Sequence, residues 1–386
     1  MKRGKWFFVL WLMACVCSLS SCIEEFEADI PEDDSDLLTV EGTICASQEN
    51  KFILSRTQAV RSTYAPQMVT GAKVSVRGSD GSEFVAQPTD GYYSTWIGVL
   101  NPDVEYYLHI ETDGEVYESL PQKPLRTEEI AEIIGVQNTP ESNIDVLVTP
   151  EAPFEPDRAN YYTWSYEETW EVHSEYTTTK RYDIDLMGPV IDSDQFPWKG
   201  WKDGTSSTIM VGGSPSYEGH HIQRLKLYDI DRGNERMFHR YSGLIHQRAI
   251  SKAEYEYELA RRQAGTEMGG LFTPQPSALP TNIRCLTSSK HVIGFVGCSM
   301  NTSEYRFYLN APDFSIRRPP MEDKRLLLTS PSHKDCVRLL GLGFFLCEWE
   351  VSGTTGQIET AWAVESQLDV RYKGAYIERP DFWEDE

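Results

Sequence analysis

Between Ala72 and Ser119 the chain alternates apolar and polar residues in short runs, and turn signals separate the runs. Ala72, Val74 and Val76 alternate with Lys73, Ser75 and Arg77; Asp80-Gly81 follows, then Glu83–Gln87 and Gly91-Tyr92-Tyr93. Tyr106, Leu108 and Ile110 alternate with Tyr107 and His109, and Asp113-Gly114 leads into Glu115–Ser119. Only a strand turns successive side chains to opposite faces, and Asp-Gly supplies the positive-φ residue of a tight hairpin. Short strands at this spacing predict a β-sandwich over residues 37–125. Pro121-Gln122-Lys123-Pro124 marks its end.

The alternation returns farther on. Tyr162, Trp164, Tyr166, Trp170 and Val172 fall on one face of a strand, and Thr163, Ser165, Glu167, Thr169 and Glu171 on the other. Leu225/Leu227 and Tyr305/Phe307/Leu309 repeat the pattern. A larger antiparallel β-rich domain is therefore predicted over 126–386, with a Gly-, Asp- and Pro-rich loop at about 187–220 carrying Trp198 and Trp201. One short helix is expected near 252–264. Ser251 with Glu254 reads as a capping box, Ala253–Ala264 lacks Gly and Pro, and Gly265 is placed to stop it.

The N-terminus is of another kind. Lys2, Arg3 and Lys5 precede an apolar run from Trp6 to Leu19, too short and one-sided for a spanning helix but right for a secretory signal peptide over 1–21. It ends in Leu19-Ser20-Ser21-Cys22, an aliphatic residue and two small ones before a cysteine, the form of a bacterial lipobox. Cleavage between Ser21 and Cys22 would leave the lipidated Cys22 as the new N-terminus. Leu12-Met13-Ala14-Cys15 is a weaker box, and Cys17 follows Val16 where a small residue belongs. Each buried CH₂ of an acyl chain such as palmitate adds about 0.8 kcal/mol of membrane attachment, so a multiply acylated Cys22 anchors firmly. The segment 22–36, with Glu24, Glu25, Glu27, Asp29, Glu32, Asp33, Asp34 and Asp36, reads as an acidic tether.

Removing residues 1–21 takes away three basic residues and no acid, so the net charge moves from −23 to −26. Such a surface repels nucleic acid and anionic headgroups, and neither is expected as a partner. The 365 residues that remain exceed what one core usually spans, which favours two domains. An odd set of cysteines is left beyond Cys22. Cys336 with Cys347, or Cys285 with Cys298, could each staple a local hairpin, whereas Cys45 on an early strand reads as a buried thiol. No Cys-x-x-Cys occurs, which excludes a zinc ribbon or a thioredoxin-type site.

Catalytic signatures are missing from the sequence. There is no phosphate-binding loop, nucleophile elbow or His-Glu-x-x-His helix, so no catalytic residue, metal ligand or cofactor is assigned. Of eight histidines only His220-His221 are adjacent, and neighbours on a strand point apart. Asp183/Asp185, Asp192/Asp194 and Asp229/Asp231 invite a calcium reading, but Asp229-x-Asp231-x-Gly233-Asn234 reverses the order of ligand and glycine that an EF-type loop needs. Trp198 and Trp201 read either as a stacking platform for a sugar or other flat ligand, or as packing on the second domain's core.

Two resemblances add to this. The order of strands and turns in 37–125 looks like the transthyretin-like or carboxypeptidase-regulatory type of Ig-like module, a folding unit without chemistry of its own. Gln247-Arg248-Ala249-Ile250-Ser251, Tyr255 and Tyr257, Gly269-Gly270-Leu271-Phe272, Pro274-Gln275-Pro276 and Asn282-Ile283-Arg284 form a distinctive block. It resembles the Bacteroidota lipoprotein family catalogued as domain of unknown function 4249. The likeness extends to the lipobox, Val40-Glu41-Gly42, Val292-Ile293-Gly294-Phe295 and Arg379-Pro380-Asp381-Phe382-Trp383. One segment departs: a Cys-x-Asp-Cys-Arg-like stretch typical of the family is here Leu368-Asp369-Val370-Arg371, without either cysteine. The acidic tether also resembles the surface-export signal of Bacteroidota lipoproteins.

The resemblance implies a lipid-anchored outer-membrane protein, often encoded beside a TonB-dependent transporter, in a family without an established activity. A non-enzymatic accessory that captures or delivers a transporter's ligand is the function expected. A glycan- or peptide-directed hydrolase and a structural or adhesive surface lipoprotein are the alternatives.

Overall fold

The computed structural model describes residues 36–57, 67–266 and 279–384. The lipobox with Ser21 and Cys22, the tether before Asp36, and the Gly269–Pro276 part of the family block lie outside the described residues. The chain is mainly β.

The N-terminal strands are β1 (Leu38–Cys45), β2 (Gln48–Arg56), β3 (Gln67–Met68), β4 (Lys73–Gly78), β5 (Glu83–Thr89), β6 (Tyr92–Ile97), β7 (Tyr106–Thr112) and β8 (Glu115–Ser119). Their turns are the ones the sequence marks. Asp113 and Gly114 both take positive φ (52° and 77°), closing the β7–β8 hairpin with Thr112 opposite Glu115. Val40, Phe52, Val76 and Ile97 are fully buried, so alternation has sorted this core as expected.

The chain continues through β9 (Ile130–Val136), β10 (Ile144–Pro150), β11 (Tyr161–His173), β12 (Lys180–Asp183), β13 (Gly188–Ile191), β14 (Lys199–Thr205), β15 (Met210–Gly213), β16 (Leu225–Ile230) and β17 (Arg240–Ile250). Sheet β16-β10-β9 faces sheet β14-β11-β17-β20 across a second core that holds Ile144, Trp164, Met237, Tyr241 and Ile245. Here β20 is Ser303–Asn310, and β15 also pairs with β11. The stretch 187–220 is thus not simply a loop, because β13, β14 and β15 lie within it.

After the helix α1 (Lys252–Thr266) the chain returns to the first sheet. There β18 (Ile283–Cys285) pairs with β8, and β19 (Val292–Ser299) pairs in parallel with β1, giving the order β18-β8-β7-β4-β5-β6-β2-β1-β19. Residues 37–125 leave both edges of their sheet open, and these later strands cover them. The sandwich therefore extends beyond residue 125.

Much of the family block sits at this joint. Gln247 accepts from Trp164 Nε1 (2.8 Å) and donates to the Glu128 carbonyl (2.7 Å). Arg248, on β17, pairs with Glu254 of α1 at 2.6 Å, and Asn282 bonds both the N–H and the C=O of Val296. The expected capping box at α1 is half realised: Ser251 Oγ accepts from the Glu254 N–H (3.1 Å), whereas the Glu254 carboxylate is taken by Arg248. The helix runs one residue past Gly265.

The C-terminal part builds a small sheet, β21-β23-β22, from β21 (Leu326–Thr329), β22 (Phe344–Val351) and β23 (Ile358–Val364). A second helix that the sequence reading did not foresee, α2 (His333–Gly341), packs on it behind a Ser332/Asp335 capping box, and a short α3 (Glu365–Leu368) follows. The proposed staples are not formed. Cys336 packs with Tyr182 and Trp362 and Cys347 with Tyr176 and Ala363, in separate clusters, so the two thiols are turned away from each other. Cys298 is in the first core, while Cys285 is part-exposed and bonds Thr287 and Ser288; both are free, as is the buried Cys45. Where the family's cysteine segment would fall, Leu368 and Val370 are fully buried and Asp369 pairs with Arg371.

Candidate functional site

The polar face of β11 is covered at its C-terminal end rather than solvated. Thr169, Glu171 and His173 share that face because alternate strand residues point the same way. Register with β14 sets Asp203 opposite Thr169, Trp201 opposite Glu171 and Lys199 opposite His173. Lys199 reaches diagonally to Glu171, Nζ to Oε2 at 2.8 Å, and His173 Nε2 lies 2.5 Å from Glu171 Oε1.

His239 arrives from another part of the chain. A 3-10 turn over Glu235–Met237, capped by the Asn234 side chain and pinned by the fully buried Met237, sets the entry to β17. His239, the residue before that strand, stacks on His173 with ring centroids 3.5 Å apart and planes at 29°. Trp198 meets His173 edge-on at 4.9 Å. Glu171, His173 and His239 thus bring three possible ligand atoms within 4.8 Å of one another.

A cleft of about 640 Å³ opens over this cluster, lined also by Glu235, Phe238, Arg318, Met321 and Lys373. A second, of about 400 Å³, leads from the same Glu171 and His239 toward Lys199, Arg240 and Trp383. Burial works against the Glu171 carboxylate, but hydrogen bonds from His173 and Lys199 outweigh it and hold its pKa at about 2. Burial, helped by the neighbouring His173 and Arg318, pushes His239 down to about 4, so this imidazole is neutral at pH 7. The lining mixes both signs: Lys199, Arg318 and Lys373 stand among Glu171, Glu175, Glu235 and Glu322.

Chemically, the arrangement can hold a ligand better than it can attack one. Ser174 is the one hydroxyl lining the larger cleft, and it donates to the Tyr176 carbonyl at 2.6 Å instead of to an imidazole. No activated serine results.

The residues singled out in the sequence are distributed otherwise. Trp198 is 42% exposed beside His173, but Trp201 is 5% exposed and packs on Tyr376 and Trp383, so the two do not form one platform. His220 and His221 bond the Ser214 and Pro150 carbonyls, away from the cluster. The aspartate pairs are spent locally: Asp183 accepts from the Asp185 and Leu186 N–H groups, Asp192 pairs with Arg181, and Asp229 pairs with Lys226. The sequence reading missed Glu171-x-His173. Its signal was present, an acid and an imidazole two apart on a strand, but nothing in the sequence brings His239 to them.

Two packed β units and a C-terminal sheet, with an open cleft lined by His173 and His239, define a β-rich protein. A family model described as Domain of unknown function (DUF4249) matches residues 23–305, and the chain belongs to that family. The matched stretch contains Glu171, His173 and His239, whereas the Arg318 and Lys373 side of the cleft lies beyond it. No curated protein matches the chain.

Proposed function

We propose that this protein is a lipoprotein of the outer membrane, anchored through Cys22 and exposed at the cell surface, that captures a small ligand in the cleft over Glu171, His173 and His239 and delivers it to a TonB-dependent transporter. The observation that carries this reading is the open cleft itself, with polar groups converging at its floor and no activated nucleophile. The lipobox and the acidic tether support the location. An apolar hairpin tip supports docking to a partner: Ile184, Leu186 and Met187 are 49%, 72% and 65% exposed at the β12–β13 turn. Co-purification of the tagged, lipidated protein from detergent-solubilised outer membranes tests it. A transporter at comparable abundance is the expected result, and repeated recovery of the protein alone would sink the partner claim.

One observation favours the hydrolase as a second reading. Two imidazoles and a carboxylate beside an open cleft are a donor set that hydrolytic zinc sites use. Turnover on a panel of glycans and peptides, lost on substitution of His173 or His239, would select it.

A further inference from the structure

We infer that Glu171, His173 and His239 form a binding site for one divalent transition-metal ion of the zinc type, with an open coordination position toward the cleft. The inference deepens the ligand-capture reading by naming the ion as the captured ligand.

Three features carry it. Two nitrogen donors and one carboxylate oxygen converge from β11 and from the turn before β17, and nitrogen donors suit zinc, copper or nickel but not the oxygen-seeking calcium or magnesium. Neither ring nitrogen of His239 has a hydrogen-bond partner among the described residues, although the ring is half-buried against His173. His239 lines the open cleft, so an entering ion can reach these nitrogens without breaking a hydrogen bond. Finally, Lys199 holds Oε2 of Glu171 and so fixes the carboxylate with Oε1 toward His173, the placement an outer-shell residue gives a metal ligand.

The geometry needs only side-chain motion. Bonds of about 2.0–2.1 Å space tetrahedral ligands about 3.4 Å apart, so His173 Nε2 and Glu171 Oε1, now 2.5 Å apart, must open by roughly an ångström, while donors as far apart as 4.8 Å must close. A turn of one stacked imidazole about Cβ–Cγ directs its in-plane lone pair toward the other donors. The ion replaces the His173–Glu171 hydrogen bond: the proton on Nε2 passes by way of solvent to Nδ1, and the neutral imidazole turns its Nε2 lone pair to the ion. With three protein ligands a fourth position stays open to the cleft, from which an ion can be both taken up and released.

The test is calorimetric titration of Zn²⁺ into the full-length, detergent-solubilised protein, stripped with chelator and carrying a tag without histidine. One ion per chain is expected, with no comparable binding of Mg²⁺. His239→Ala and His173→Gln should each weaken binding by more than the roughly 10–100-fold that loss of an outer-shell partner costs. His221→Ala, outside the cluster, should leave it unchanged. Melting curves of each variant keep misfolding apart from lost ligation, and zinc should raise the melting temperature of the unsubstituted protein. Failure of that protein to bind zinc stoichiometrically, or equal binding by folded His239→Ala and His173→Gln, overturns the inference. A transporter that co-purifies while zinc does not bind refutes the ion and leaves the capture reading standing. Zinc binding without a transporter sinks the partner claim alone.

Discussion

Glu168 is an acid on the face of β11 that alternation assigns to the core, between Tyr166 and Trp170. It is held there by Arg236, whose Nη1 reaches both its oxygens at 2.9 Å, and by Tyr241, which donates to it at 2.9 Å. Removing one member of a buried pair strands the other, so Arg236→Ala should cost about 3 kcal/mol. That is the low end of the usual range, since Arg236 is one-fifth exposed. Urea unfolding measures it, and Glu168→Leu added to Arg236→Ala should recover part of the loss by removing the stranded charge. An unchanged midpoint in the single variant would show that water already solvates the carboxylate. The same strand shows the limit of residue patterns. Its polar face reads as solvated, yet Thr169 and Glu171 are buried, because alternation assigns a face without naming what covers it. The cover is β14 and the C-terminal Tyr376 and Trp383, and no local signal in β11 refers to them.

Among the elements, β19 depends on a glycine. Gly294 lies opposite Val40 of β1 at φ 133°, and a Cβ there would sit 2.0 Å from the Val40 carbonyl oxygen. Gly294→Ala should therefore part the parallel β1–β19 pairing of the first sandwich and lower stability by at least about 1–3 kcal/mol. Hydrogen exchange would locate the loss to Leu38–Cys45 and Val292–Ser299. Uniform protection in the variant would contradict the account. The strands of the first sandwich were legible because each carries period-two patterning and a turn signal. α1 was legible from its cap, whereas α2 was not, although Ser332 and Asp335 close, with a shorter acid, the reciprocal cap that Ser251 and Glu254 only half realise. The pairing of Val40-Glu41-Gly42 with Val292–Phe295 was not legible either, since some 250 residues of chain lie between strands that are neighbours in space.

For the whole molecule, attachment and charge act together. A net charge of −26 after removal of residues 1–21 repels anionic headgroups, so the proposed membrane residence rests on Cys22 and not on surface electrostatics. Cys22→Ala should shift the protein from the membrane to the soluble fraction, read by fractionation and loss of palmitate labelling. A protein that stays with the membrane unlabelled would point to another anchor. Sequence alone determined the β class, the hairpin turns, the first helix and the family, because periodicity, turn chemistry and short motifs are local. The tertiary structure alone decided that later strands complete the first sandwich, that Cys336 and Cys347 point into different cores, and that His239 meets Glu171 and His173. These depend on which distant segments pack together, and that choice is made by the sum of buried surface and hydrogen bonds over the whole chain rather than by any one stretch of it.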